Sequence, residues 1–267
     1  MRRQSLLVCL LAGMLVAIVA AQDSQRLEFE VATVKPVDRS APVIIETIVY
    51  PGGRLVIRAA SLATLVSSAY GVSAWQVSGG ETWMRQDLYA IEAKPSPEMQ
   101  SRITNLRTTW TGVEDTSLKL MLQSLLHDRF KLDVRRESAT GTVYTLERNG
   151  QPLRLKEAVQ REARGSNSNL GTAGYAGGRW VIGGMSMEQL AGFASNLLRA
   201  PVRDQTGLEG AFDYRQAEPD VDPKYGDQQF SQESFLRMIP ELGLRLRRTE
   251  GLVDKFVIVA AQRPLEN

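Results

Sequence analysis

The stretch GRLVIRAASLATLVSSAYG, residues 53–71, returns in altered form as GRWVIGGMSMEQLAGFASN, residues 178–196. The two align without a gap at an offset of 125 residues, and the alignment continues toward the C-terminus. The nine identical pairs are Gly53 and Gly178, Arg54 and Arg179, Val56 and Val181, Ile57 and Ile182, Ser61 and Ser186, Leu65 and Leu190, Ala69 and Ala194, Val77 and Val202, and Tyr89 and Tyr214. So many identities at one offset indicate an internal repeat.

A looser match follows further along the chain. LLHDRFKLDVRRE (125–137) is similar to PELGLRLRRTE (240–250) at an offset of 114 residues. Each of these two segments is followed by an apolar, strand-like segment, 143–146 in the first copy and 256–260 in the second. Each copy therefore predicts the order strand, helix, strand, strand, helix, strand, strand, which is an α+β fold.

We expect two tandem α+β modules, each roughly β-α-β-β-α-β-β, with an extra N-terminal β-hairpin and a long loop (95–117) in the first. The hairpin is expected from segments 27–34 and 43–50, and the second copy is expected to lack it. The predicted boundaries are a signal peptide at 1–21, a first module at 26–154, a linker at 155–177 and a second module at 178–264. The linker is predicted from its Gly-, Ser- and Asn-rich end.

Helix boundaries are marked in both copies. Ser61 is a good N-cap and Gly71 a good stop for the first helix. Ser186 and Gln189 have the spacing of a capping box. Pro240 removes an internal hydrogen bond, so the last helix is expected to be short or kinked.

The first residues, MRRQSLLVCLLAGMLVAIVAAQ (1–22), are typical of an export signal. A basic start, an apolar run and the small residues Val19-Ala20-Ala21 predict cleavage before Gln22. The alternative is an uncleaved anchor, which would keep the protein at a membrane. The sequence predicts an exported protein, periplasmic or secreted. The single cysteine, Cys9, lies in the signal, so the mature chain has no thiol chemistry.

The charge of the mature chain argues against nucleic-acid binding. Removing Arg2 and Arg3 lowers Lys+Arg from 32 to 30, which equals the 30 Asp+Glu. A protein that binds nucleic acid without a basic excess is unusual.

No catalytic or cofactor motif stands out. The only histidine, His127, lies on the polar side of its helix, which favours a solvent-facing side chain. Phosphate-binding loops and a Gly-x-Ser-x-Gly serine motif are absent, and zinc would need more histidines or cysteines. We therefore expect no cofactor. The stretch DVDPKYGDQQ (220–229) is a weak calcium candidate without EF-hand spacing. The other candidate carboxylates are scattered: Glu28, Glu30, Glu92, Asp128, Asp204 and Asp213.

Asp204 begins the sequence Asp-Gln-Thr-Gly, which differs at one residue from the phosphorylation loop of the P-type ion pumps. Gln205 stands where the pumps need lysine, and it also interrupts the Asp-Thr-Gly of aspartic proteases. An Asx-turn at Asp204, with positive φ at Gly207 and Gly210, fits the stretch better.

Trp75 and Trp83 flank QVSGGET (76–82) and could form a binding lip for a sugar or peptide. The alternative, which the pattern favours, is an apolar cover over a sheet edge. The candidate contact residues for a partner or ligand are Tyr70, Trp75, Trp83, Arg129, Asp204 and Thr206.

Six long segments resemble one family of proteins. They are FEVATVKP (29–36), SLATLVSSAYGVSAWQVSGGETW (61–83), LYAIEAK (88–94), MLQSLLHDRFKLDVRRES (121–138), SMEQLAGFASNLLRAPVRDQTGLEGAFDY (186–214) and ELGLRLRRTEGLVDKFVI (241–258). The chain resembles the Solibacter-type exported proteins, which contain a domain of unknown function numbered 3738. Members fused outside membrane metallopeptidases imply an extracellular sensing or binding role. The resemblance implies no catalytic residue.

The second copy is also similar in pattern to the short N-terminal domain of secretins and TonB-dependent receptors. SMEQLAGFAS, QTGLEGAF and ELGLRLRRTEGLVDKFVIV carry this similarity. It implies docking of an envelope protein through exposed sheet edges.

Three functions remain open at this point. The favoured one is non-enzymatic binding or sensing of an envelope protein or peptide through sheet edges. The alternative is an exported, carboxylate-dependent hydrolase of polysaccharide or cell wall. The third is a structural envelope protein without a specific ligand.

Overall fold

The computed structural model describes residues 26–40, 42–104, 108–109, 112–158, 171–176, 178–217 and 231–265. Within them the chain is a mixed α+β protein, as predicted. The helices are α1 (Leu62–Tyr70), α2 (Trp83–Gln86), α3 (Pro97–Gln100), α4 (Thr116–Phe130), α5 (Met187–Leu198) and α6 (Gln232–Glu241). The strands are β1 (Val31–Pro36), β2 (Thr47–Val49), β3 (Leu55–Ser61), β4 (Val77–Gly79), β5 (Leu88–Lys94), β6 (Thr108–Thr109), β7 (Gly112–Val113), β8 (Asp133–Arg148), β9 (Lys156–Glu157), β10 (Thr172–Ala176), β11 (Arg179–Met185), β12 (Val202–Asp204), β13 (Phe212–Arg215) and β14 (Leu244–Ala260). The predicted signal peptide lies outside the described residues.

The first sheet has the antiparallel order β1-β5-β3-β2. The predicted N-terminal hairpin is wrong in its pairing, because β1 and β2 lie at opposite edges of this sheet. Strand β2 forms a hairpin with β3 instead, across a turn in which Gly52 and Gly53 have φ of 78° and 77°. A tight glycine turn brings β2 directly onto its neighbour, whereas the longer segment after β1 lets the chain cross the sheet.

The second sheet has the order β9-β13-β11-β10, also antiparallel. This order matches the first sheet strand for strand, so the second copy does not lack the edge strands, contrary to the prediction. Both β9 and β10 fall in the segment predicted as a linker, of which residues 159–170 and 177 lie outside the described ones. Strand β10, with the sequence TAGYA, contains few of the residues that favour strands.

The third sheet joins the two halves of the chain, which we define as the N-terminal half (26–148) and the C-terminal half (149–265). Its order is β12-β8-β14-β4. The two strands predicted at the end of each copy are in fact one: β8 has 16 residues and β14 has 17, and they pair antiparallel. Gly141 lies opposite Gly251, and neither has a positive φ, so the chain continues straight where the sequence suggests a break. We call this pair of strands the central ribbon.

The outer strands of the third sheet are exchanged between the halves. Strand β12 of the C-terminal half pairs parallel with β8, and β4 of the N-terminal half pairs parallel with β14. Each hydrophobic core likewise includes a residue from the other half of the chain. The first core takes Ile258 from β14, and the second takes Leu146 from β8. The expected arrangement, two tandem modules joined by a linker, does not include this sharing of strands and core residues between the halves.

The predicted helix ends are confirmed. Ser61 Oγ accepts a hydrogen bond from the Thr64 N–H, and Gly71 closes α1 with φ 63°. Ser186 and Gln189 form the capping box of α5. Helix α6 is short and ends one residue after Pro240. Among the described residues, the helices are too short or too polar to span a bilayer.

Candidate functional site

A cleft of about 580 Å³ lies where the two halves meet. Its walls are the segment that follows α1, one side of α5, and strand β12 with the residue before it. The lining residues are Gly71, Ser73, Gln76, Glu188, Gln189, Ala191, Gly192, Ser195, Pro201, Val202, Arg203 and Asp204. A volume of this size suits a small molecule or a few residues of a peptide.

Hydrogen bonds fasten the two halves together beside this cleft. Ser73 Oγ lies 3.3 Å from Ser195 Oγ, and Trp75 Nε1 donates to Ser195 Oγ at 3.4 Å. Gln76 Nε2 donates to the Asp254 carbonyl at 2.9 Å, while Gln76 Oε1 accepts the Ser73 N–H at 3.0 Å. Ser73 and Ser195 are 4% and 7% exposed, so these contacts are sheltered from water. We call Ser73, Trp75, Gln76 and Ser195 the bridge.

The charged side chains of the cleft are Glu188, Arg203 and Asp204, all exposed. The cleft therefore has one more carboxylate than guanidinium. No group of His, Cys, Asp or Glu within the described ranges is arranged to hold a metal ion. The walls offer hydroxyl, amide and backbone groups, which suit recognition of a polar organic ligand by hydrogen bonds.

The turn at Asp204 is confirmed. Asp204 Oδ1 accepts the Thr206 N–H at 2.9 Å, which is an Asx-turn, and Thr206 Oγ1 accepts the Leu208 N–H at 3.2 Å. Gly207 and Gly210 have φ of 68° and 94°, as expected. Thr206 is 7% exposed, so it supports the turn and offers little surface to a ligand.

The structure brings only some of the predicted contact residues together. Asp204 lines the cleft, Thr206 lies next to it, and Trp75 belongs to the bridge. Trp83 is 8% exposed and packs in the first core, with the Arg263 guanidinium 4.8 Å from its ring centre. The apolar-cover interpretation therefore fits Trp83 better than a binding lip does.

Tyr70 and Arg129 are not among the residues that line the cleft. The Tyr70 ring packs 5.1 Å from that of Phe256, and burial, with a contribution from Asp133, raises the pKa of its hydroxyl. Arg129 Nη2 donates to the carbonyl of Ala32 at 3.3 Å, on edge strand β1. Its observed contact is structural.

Two further candidate groups, His127 and Asp213, make surface or structural contacts in the part of the chain that the structure describes. His127 is exposed on α4, as predicted, and contacts Asp128 at 3.3 Å. Asp213 Oδ1 accepts the Gly184 N–H at 2.7 Å, which is a structural bond. The calcium candidate, 220–229, lies outside the described residues.

Sequence reasoning identified Trp75 as a candidate contact residue but missed the other bridge residues, Ser73, Gln76 and Ser195, and also Glu188. Serine and glutamine residues near helix ends are ordinary capping residues, so nothing in their type indicates a contact between halves. The available signal was the repeat itself, which makes Val77 and Val202 equivalent and hence places β4 and β12 in comparable positions.

The comparisons with known proteins identify the family. A family model described as "Protein of unknown function (DUF3738)" matches residues 63–261, and the chain belongs to this family. No curated protein and no solved structure matches the chain. The weaker similarity to the secretin and TonB-receptor domain therefore gains no support.

Proposed function

We propose that this member of the DUF3738 family is an exported, non-enzymatic binding protein of the cell envelope whose protein or peptide partner occupies the cleft. The observation that supports this best is the joint construction of the cleft. Residues 71–76 come from one half and residues 188–204 from the other, and the bridge holds them in fixed relation. A cleft that is formed before its ligand arrives loses less entropy on binding.

The hydrolase alternative would have to use Glu188 and Asp204, the two carboxylates of the cleft. An acid that protonates a leaving group near neutral pH is usually a carboxyl that burial keeps protonated. Both side chains are exposed, and Asp204 also accepts a hydrogen bond within its own turn. Binding is therefore better supported than hydrolysis.

Export is the part of the proposal that rests on the sequence of the leader. We expect the mature N-terminus to be Gln22, as intact-mass measurement of the protein recovered from an envelope fraction would show. Recovery of the full-length chain from the membrane fraction alone would favour the anchor instead.

Site-specific crosslinking tests the cleft directly. Glu188 and Glu233 are both exposed residues in the first turn of a helix, but only Glu188 lines the cleft. A photoreactive benzoylphenylalanine is placed at either position of the intact protein, which is then irradiated in a bacterial envelope extract. We expect a discrete adduct from position 188 and none from position 233. Equal labelling from both positions, or none from 188, would contradict a ligand site in the cleft.

A further inference from the structure

In the described part of the chain, strand β12 is paired along one edge only, and its residues line the cleft. On the paired side, the Tyr144 N–H donates to the Pro201 carbonyl at 2.8 Å, and the Gln205 N–H donates to the Leu146 carbonyl at 2.9 Å. Backbone groups along a strand alternate in direction, so Val202 and Asp204 direct their N–H and C=O groups away from β8. Because residues 201–204 line the cleft, this second edge lies along it.

The outward backbone groups of Val202 and Asp204 have no hydrogen-bond partner among the residues that the structure describes. The equivalent position in the first copy differs: Arg85 Nη1 donates to the Gly79 carbonyl at 2.7 Å. Likewise, Arg129 bonds to a carbonyl of edge strand β1. Edge strands are commonly protected in such ways, and the structure shows no such side-chain bond to the outer edge of β12 within the described residues.

The pattern of the outward groups matches an extended chain. Two residues that each present a donor and an acceptor, about 6.6 Å apart along a strand, are the complement of another strand. A sugar or a compact metabolite has no such repeat. The excess carboxylate among Glu188, Arg203 and Asp204 adds a preference for positive charge.

We propose that the cleft binds an extended peptide segment of a partner protein, containing at least one Lys or Arg, by addition of a strand to the free edge of β12. This inference rests on the proposed function, since it names how the cleft binds and what it binds. The peptide backbone would bond to Val202 and Asp204, and its basic side chain would lie near Glu188.

A peptide library provides the probe. Phage-displayed random heptapeptides are selected for binding to the mature protein and, in parallel, to the Glu188→Lys variant. The frequency of each heptapeptide is compared between the two selections. The enriched heptapeptide is then synthesised with single N-methyl groups at successive amides. We expect enrichment of Lys or Arg, and loss of binding by about tenfold or more when alternate amides are methylated but not the amides between them.

A matched pair of variants tests the protein side. Val202→Pro removes the outward N–H and leaves the bonds to β8, since proline is tolerated on an edge strand when its nitrogen faces away from the sheet. Val202→Thr keeps the N–H and a strand-favouring side chain. We expect Val202→Pro to weaken the heptapeptide by about tenfold and Val202→Thr by less than twofold, with cooperative unfolding confirming that both are folded.

Three results would overturn strand addition with a basic peptide. Methylation of every amide could weaken binding equally, the selection could give no enrichment of Lys or Arg over the Glu188→Lys variant, or the two Val202 variants could bind the heptapeptide with equal affinity. These results differ from failure of the proposed function. A crosslink at position 188 without peptide enrichment would show that the cleft binds a ligand other than an extended peptide. The absence of both the crosslink and the enrichment would contradict any ligand site in the cleft.

Discussion

Asp204 shows how a residue that resembles a nucleophile can act as a turn residue. Its carboxylate accepts the Thr206 N–H, and the bond needs an acceptor oxygen but no negative charge. We expect Asp204→Ala to lower the free energy of unfolding by about 0.5–1.5 kcal/mol, the contribution of one such bond. Asp204→Asn keeps the acceptor and should stay within about 0.5 kcal/mol of the wild type. Urea unfolding of both variants measures the difference.

The two variants of Asp204 serve as controls for each other. Equal destabilisation by alanine and asparagine would show that the charge, and not the turn, is what the structure needs at this position.

Among the elements, the central ribbon gives the clearest dependence on pH. Glu147 accepts hydrogen bonds from Arg247 at 2.7 Å and from Arg245 at 3.0 Å. The Arg247 bond, with a smaller contribution from Arg245, lowers the pKa of Glu147 despite partial desolvation. Hydrogen bonds from Arg136 and then Ser138 lower the pKa of Asp254. A carboxyl with a lowered folded-state pKa stabilises the fold above its unfolded pKa, and this contribution is lost as pH falls.

The double variant Glu147→Gln, Asp254→Asn should remove this dependence. We expect it to be less stable than the wild type at pH 7 and to approach it as pH falls below the ordinary values of 4.5 for Glu and 3.8 for Asp. Urea midpoints between pH 7 and pH 3 at low salt measure this, because salt screens exposed pairs. Thr140→Ser, an uncharged change in the same ribbon, should keep the wild-type profile. Parallel curves for the wild type and the double variant would exclude a role for these pairs.

The elements also show what the sequence could reveal. Helix ends depend on local bonds, so Ser61, Gly71 and Ser186 could be identified from type and spacing. The central ribbon could not, because glycine at positions 141 and 251 indicates a break unless the partner strand is known. The cleft depends on pairing between segments far apart in sequence, and no local pattern specifies that Val202 pairs beside Tyr144.

At the scale of the whole molecule, the exchange of strands makes the halves interdependent. Cutting the chain between residues 158 and 171 would separate β4 from β14, remove Ile258 from the first core, and also separate β9, which stays on the N-terminal fragment, from β13. We expect each purified fragment alone to show no cooperative unfolding. An equimolar mixture should form a 1:1 complex that unfolds cooperatively, with a midpoint that rises with concentration. Circular dichroism during urea titration, with the intact chain as reference, measures this.

The outcome that contradicts interdependence is also clear. If residues 26–158 alone unfolded cooperatively at the midpoint of the intact chain, the shared sheet would be dispensable and the halves would be separate domains.

Because β4 pairs with β14, the third sheet can be completed only after β14 has been synthesised. During synthesis β4 emerges from the ribosome well before β14, its partner in the third sheet. Val77 therefore stays without its partner, Phe256, while residues 78–255 are synthesised. Contacts so distant in sequence also slow folding once the chain is complete. A third sheet that is completed late would suit the export proposed above.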